Sequence, residues 1–357
     1  MNANKLTNDG IEMMRRTSLA IFGLIPCILL QPADTQSAPQ NDSTHLRMNV
    51  VLVQLNVAVT DGKGNYVSGL RPEDFEVTED KIPQRVSSFE EGSGTNSDAG
   101  DEFDHPELSR STASQDVKLA DSNGQTTSTP LPEPRGNQAS VFVLFDTSNY
   151  MYRGFVFAQD AITDFIRSMD KASKVAFYSY CRDLSRAMEL SSDQFRIVNA
   201  VRSTVAGDDA ALYNSLLLTV KDAAPLKGRK AIVVFSNGPD NASSVPPEDV
   251  AELAQSTGTI IYIISTRQAE DDPASAAAFE RMSKVSGGKA YFAKNWLDEK
   301  KAFASIREDL VHLYTLSYYP QTNPNKGWRS IKVRLVGKDL QKYHLRTRDG
   351  YRLVAQR

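Results

Sequence analysis

Apolar and polar positions alternate through residues 48 to 90: "MNVVLVQLNVAVTD" keeps the alternation, breaks at "DGKGN", and resumes through "DFEVTED" and "RVSSFEE". Residues two apart share one face of a strand, so the pattern predicts a small β segment over 46–91 with one buried side. From 92 to 138 large apolar residues nearly vanish in favour of Ser, Thr, Asn, Asp, Gly and Pro. Such a stretch buries too little to offset its chain entropy and reads as a disordered linker or flexible insertion.

After the linker the pattern changes. "SVFVLFD" (140–146) is a continuous apolar run ending in an acid, and "FAQDAITDFIRSMD" (157–170) repeats its apolar positions at helical spacing. "KVAFYSYC" (174–181) and "SRAMEL" (185–190) are separated by too few residues for a parallel crossover, which predicts an antiparallel pair. Apolar strands at 229–237, 258–266 and 287–294 alternate with helical stretches. Strands apolar on both sides and interleaved with helices predict an α/β fold: a doubly wound, mostly parallel sheet over 139–297 with one antiparallel edge strand. A closing helix (298–314) follows, then "YTLSYYP", "RSIKVRLV" and "YHLRTRDGYRL", strand-like without helices, over 315–357. Two or three strands are marginal alone. The two flanking β segments are therefore expected to pack as one small β-sandwich-like domain into which the α/β unit is inserted.

The chain begins differently. Arg15 and Arg16 precede "LAIFGLIPCILL" (19–30), a run too short to span a bilayer comfortably, and small residues follow at Ala33 and Ala38. Residues 1–40 read as an export signal with a polar tail, Met13 or Met14 offering an alternative start. This places the protein in the periplasm, the outer envelope or outside the cell, with membrane contact only through the signal. Cys27 lies inside the apolar run and leaves with it, so Cys181 is expected to lack an intrachain partner. The net charge of −3, from 41 basic and 44 acidic residues, supplies no basic face for nucleic acid.

Candidate chemistry gathers at the strand ends, where doubly wound sheets bind ligands. Three loops qualify: Asp146, Ser148 and Tyr150 after the first apolar strand, "AGDDAALYNSL" (206–216) at a helix start, and "SNGPDN" (236–241). Together they resemble the von Willebrand factor type A domain. That resemblance implies a metal-ion-dependent adhesion site built from Asp-x-Ser-x-Ser, a Thr at the second helix start and an Asp on the third loop. Asp146 and Ser148 match the pattern. Tyr150 stands at the second serine position, Ala210 at the threonine position and Asn237 at the aspartate position. Losing one carboxylate beside a divalent ion forfeits roughly 4 kcal/mol or more per unit charge at about 4 Å and an effective dielectric near 20, before desolvation offsets part of it. The implied Mg²⁺ is therefore expected to bind weakly or not at all, and no other cofactor is implied. Asp208, Asp209 and Asp240 are nearby acids able to substitute as ligands; as plain loop carboxylates they would favour helix N-termini. The flanks "VTDGKGNYVSGLRPEDFEVTEDKIPQRVSSFEE" and "RTRDGYRL" extend the resemblance to exported von Willebrand factor A-related proteins known chiefly from acidobacteria. In "EDKIPQ" the usual turn glycine is missing, which implies a differently shaped hairpin.

No H-E-x-x-H, G-x-S-x-G or Gly-Lys-Ser/Thr phosphate loop occurs, and His45, His105, His312 and His344 are scattered, so an enzyme is not expected. The reading is an exported adhesion or scaffolding module that binds a protein partner in the envelope or outside through Tyr150, Asp208, Asp209, Asn237 and Asp240 around Asp146. Two alternatives stay open: a structural envelope protein without a binding rim, and a working metal-dependent adhesion domain that recruits the neighbouring acids.

Overall fold

The computed structural model describes residues 52–92, 139–170, 173–266 and 272–353. The expected export signal (1–40) and the expected linker (92–138, of which only Gly92 is described) lie outside them.

Residues 140 onward build a six-stranded sheet from β5 (Ser140–Asp146), β6 (Lys174–Tyr180), β7 (Leu184–Ser191), β8 (Lys230–Phe235), β9 (Ile260–Thr266) and β10 (Ala290–Ala293). Their order is β10-β9-β8-β5-β6-β7, parallel throughout except for β7, the antiparallel edge. Alternate residues of β5 serve opposite faces: Val141, Val143 and Phe145 pack on one, Phe142 and Leu144 on the other. The first face is covered by α1 (Phe155–Ser168), α2 (Gln194–Arg202) and α6 (Trp296–His312), the second by α3 (Leu212–Ala223), α4 (Pro247–Thr257) and α5 (Pro273–Ser286). Because both faces are covered, the inner strands β5, β8 and β9 are apolar along most of their length, whereas the edge strand β7 is largely exposed.

Flanking strands β1 (Val53–Thr60), β2 (Phe75–Glu79), β3 (Ile82–Gln84) and β4 (Val86–Glu91) meet β11 (Tyr314–Tyr318), β12 (Trp328–Leu335), β13 (His344–Arg346) and β14 (Gly350–Arg352) in two four-stranded sheets, β13-β1-β11-β4 and β14-β12-β2-β3. Each sheet draws strands from both ends of the chain. Their inner faces share one core that includes Leu55, Val57, Phe75, Val77, Leu316 and Ile331. Inside it Glu79, fully buried, accepts from Arg329 Nη1 (2.8 Å), Tyr318 Oη (2.9 Å) and Tyr351 Oη (3.0 Å). At "EDKIPQ" Ile82 pairs with Glu79 across a two-residue turn in which Asp80 (φ 48°) and Lys81 (φ 70°) both take the left-handed conformation. Asp80 makes that turn tolerable by accepting from Ser330 N (2.9 Å), Asn323 Nδ2 (2.9 Å) and Asn325 Nδ2 (2.8 Å).

Polar clamps tie the sandwich to the α/β unit. Asp309 of α6, fully buried, accepts from Tyr66 Oη and Tyr262 Oη (both 2.6 Å) and is gripped by the Arg346 guanidinium. Arg229, just before β8, donates to Leu310 O (2.7 Å) and Leu313 O (3.1 Å) and so caps the carbonyl end of α6.

Candidate functional site

Asp146 ends β5 between β6 and β8, where the sheet order reverses and successive connections leave on opposite faces. Its side chain is fully buried. Oδ1 accepts from Ser148 N (2.9 Å) and Oδ2 from Ser236 Oγ (2.7 Å), so the carboxylate pins the first loop to the end of β8. Tyr180, opposite Asp146 in the register of β6, donates its hydroxyl to Ser236 Oγ (3.0 Å), which also accepts from Gly238 N (3.1 Å). Burial pushes the Asp146 carboxyl above its ordinary value, against the lowering effect of Ser148, Ser236 and Tyr180.

Two buried oxygens beside this pin, Ser148 Oγ and Asn237 Oδ1, have no hydrogen-bond partner among the described residues. The amide of Asn237 is oriented by Nδ2, which donates to Tyr150 O (2.8 Å). Tyr150 lies in a short 3-10 turn, Asn149–Met151, with its hydroxyl 3.5 Å from Asn241 Nδ2. At the threonine position Ala210 is fastened through its backbone, its N–H donating to Asn241 Oδ1 (2.8 Å) and its carbonyl accepting from Asn241 N (3.0 Å) and Ala242 N (3.1 Å). The second and third loops are thus zipped together.

The neighbouring acids are engaged elsewhere. Asp240 accepts from Tyr213 N (2.8 Å) in the first turn of α3 and from Ser243 N (2.8 Å), serving as a helix cap and turn brace. Asp209 pairs with Arg182 (3.4 Å), and Asp208 accepts from Tyr152 Oη (3.2 Å). Among the described residues no group of three or more His, Cys, Asp or Glu is arranged to hold a metal ion. Ser236, Tyr180 and Asn241 were not singled out by sequence reasoning. The position of Tyr180 was readable, since it ends the strand paired with β5, but its bond to Ser236 crosses from a strand on one side of Asp146 to the loop on the other.

Around the pin the rim is apolar and exposed. α1 and α6 both begin at the carboxyl ends of parallel strands, and their first turns present Val156 (63% exposed), Phe157 (61%) and Trp296 (56%). Val205 (79% exposed) follows α2, which returns to the same end, since Gly207 N donates to Thr147 O (2.7 Å). Gly207 lies so close to Cys181 that a Cβ there would stand 2.7 Å from the free thiol's sulfur. A cavity of about 320 Å³ opens beside them, lined in part by Thr147, Tyr180, Cys181, Thr204 and Val205.

The family model for the von Willebrand factor type A domain matches residues 140–305. Similar solved structures include the conserved hypothetical protein BatB from Bacteroides thetaiotaomicron, with 15% identity, a TM-score of 0.41, and cover of 48% of this chain and 97% of that one. The vWF domain of the type V pili tip protein Mfa5 from Porphyromonas gingivalis has 11% identity, a TM-score of 0.41, and cover of 48% and 94%. A von Willebrand factor type A protein from Catenulispora acidiphila has 10% identity, a TM-score of 0.42, and cover of 59% and 66%. No curated protein matches the chain. With its match over 140–305 and a six-stranded sheet flanked by helices on both faces, the chain carries a von Willebrand factor type A domain.

Proposed function

We propose that the protein is an exported protein-binding or scaffolding module, without enzymatic activity, whose recognition surface is the rim around Asp146, Asp209 and Asn237, and that this rim works without a divalent metal ion. The observation that carries the reading is the gathering of Tyr152, Val156, Phe157, Val205, Trp296 and Leu297, all exposed, at the carboxyl end of the sheet. Exposed apolar groups collected at one end of a domain mark a surface that a partner covers.

Mg²⁺ demands hard oxygens in near-octahedral array. The donor set here does not fit it. Asp146 supplies one carboxylate whose two oxygens already accept hydrogen bonds, Ser148 a hydroxyl, and Asn237 a neutral amide oxygen. Ala210 supplies no side-chain oxygen, and Asp240 is committed to the α3 cap. Asp146 acts instead as the tie that sets the spacing of the first and third loops.

Capture of partners from envelope extract by the full chain tests the reading. Phe157→Asp and Val205→Asp, both at exposed positions, should each abolish capture while leaving the melting temperature unchanged, and chelator should leave capture intact. Capture that survives both substitutions would favour a structural envelope protein without a binding rim.

A further inference from the structure

A larger cavity, about 650 Å³, lies at the opposite end of the sheet from the rim. Gly228 and Gly258, which precede the amino ends of β8 and β9, form part of its wall, and the sandwich closes it with residues of β1, Arg348 and Tyr351. Such a volume suits a small organic molecule. Its described lining residues include Lys227, Lys230, Arg348 and Arg352, and no Asp or Glu is among them.

Two of these cations are buried, Arg348 to 5% exposure and Lys230 to 8%. Lys230 Nζ donates to Ala224 O (3.1 Å) and Leu226 O (3.0 Å), just past the end of α3. An ammonium carries three donors, so one remains. Arg348 donates to Gln255 O near the end of α4 and to Gln54 O (2.9 Å), while its Nε has no acceptor among the described residues. Its guanidinium also lies 5.5 Å from the Tyr351 ring centroid. Helix carbonyl ends supply about half a negative charge each, less than the two full positive charges they face. Arg352 is answered by Glu252 (2.6 Å), and Glu79, behind Tyr351, by Arg329. Among the described residues neither Lys230 nor Arg348 is paired with a carboxylate.

We propose that this cavity binds an amphiphilic anion, its acidic head group held by Lys230 and Arg348 and its apolar body lying against Leu226, Tyr319 and Leu353. The electrostatics agree with the geometry. Burial first, and then the positive charge of Arg348, holds Lys230 down to about 8, and burial holds Arg348 down to about 10. An entering anion relieves both. The apolar walls select against inorganic phosphate or sulfate, which carry no body to bury there.

Calorimetric titration of the full chain with octanoate, octyl phosphate and octanol decides the matter. At least one of the two anions should bind about tenfold or more tightly than octanol, which has the same tail without the charge. Whichever anion binds more tightly identifies the head group as carboxylate or phosphate. Lys230→Gln, which removes the charge and keeps an amide donor, should weaken anion binding about tenfold and leave octanol unchanged, whereas Tyr319→Asp, which removes part of the apolar wall and adds a negative charge, should weaken octanol as well and the anions by about tenfold more. Equal binding of octanol and the anions, no binding of either anion at millimolar concentration, or full anion affinity in both variants when each still melts cooperatively would overturn the proposal.

Discussion

Replacing Tyr150 by Ser, Ala210 by Thr and Asn237 by Asp together should turn a metal-indifferent rim into a metal-dependent one. The charge lost with Asn237 is worth roughly 4 kcal/mol per unit charge of the ion at about 4 Å, or at least about three decades in Kd after desolvation offsets part of it, before the two missing oxygens at 150 and 210 are counted. The native chain should therefore melt at the same temperature in chelator and in millimolar Mg²⁺ or Mn²⁺. A restored site with Kd a hundredfold below the metal concentration gains about 2.7 kcal/mol. For a domain of this size that is a rise of about 5–10 °C. The triple variant should also melt below the native protein in chelator, because Asn237→Asp removes the amide donor to Tyr150 O (2.8 Å) and sets a second carboxylate near the buried Asp146. Differential scanning calorimetry with and without metal reads both effects. A metal-dependent rise in the unmodified chain, abolished by Asp146→Ala, would refute the reasoning and show that the unpartnered Ser148 Oγ and Asn237 Oδ1 complete a working site.

Four further outcomes are expected. Asp309→Ala leaves Arg346 buried without its carboxylate and removes the acceptor of two tyrosines, and should destabilise the fold by about 3–5 kcal/mol in urea titration. Lys81→Gly relieves a left-handed residue at φ 70° and should stabilise by about 1 kcal/mol; a fall in stability would mean that the lysine side chain contributes more than its strain costs. Asp80, held down to about 2 chiefly by the backbone N–H of Ser330 and by Asn323, contributes stability that is fully present above the ordinary aspartate range and is lost as pH falls through about 2. The stability gap between the native chain and Asp80→Asn should therefore shrink between about pH 4 and pH 2, and a constant gap would contradict the assignment. Mass spectrometry of envelope fractions should find a mature start between Pro32 and Asn41, and an intact Met1 peptide in cytosol would count against export.

Much of this fold can be read from periodicity, because burial on both sides of a strand and on one side of a helix leaves different patterns. The parallel strands of the central sheet coincide with apolar runs, and "KVAFYSYC" beside "SRAMEL" reveals the antiparallel edge by the shortness of its turn. Helix starts are less legible. α6 begins at Trp296, inside the stretch assigned to the preceding domain, because Asn295 Oδ1 accepts from Leu297 N (2.9 Å) and Asp298 N (3.1 Å), a cap that the apolar pattern does not register. α1 begins at Phe155, whose ring packs on Phe145 of β5, with no side-chain cap to announce it. In the rim, Asp146 and Ser148 were visible as a strand end, and the engagement of Asp240 followed its place beside a helix N-terminus. The bonds among Ser236, Tyr180 and Asn241 were not visible, since each joins loops that local patterns treat separately. The same holds for Lys230 and Arg348, 118 positions apart, which line one cavity only in the folded chain.

That joining of the two ends imposes an order on assembly. Asn56 and Thr315, which touch across β1 and β11, are 259 positions apart in the chain. A chain made at about 5–20 residues per second needs roughly 13 to 50 s to cover that distance. The α/β unit, whose strands and helices are near neighbours in sequence, can be complete while β1 still has neither of its sheet partners. Val53, Leu55, Val57 and Val59, all buried in the finished core, spend that interval as an unpaired apolar edge, whether the chain is leaving a ribosome or a membrane channel. The first strands to emerge are thus among the last to be satisfied. A holding chaperone that shields this short N-terminal stretch would govern the yield of the protein more than anything acting on its larger domain.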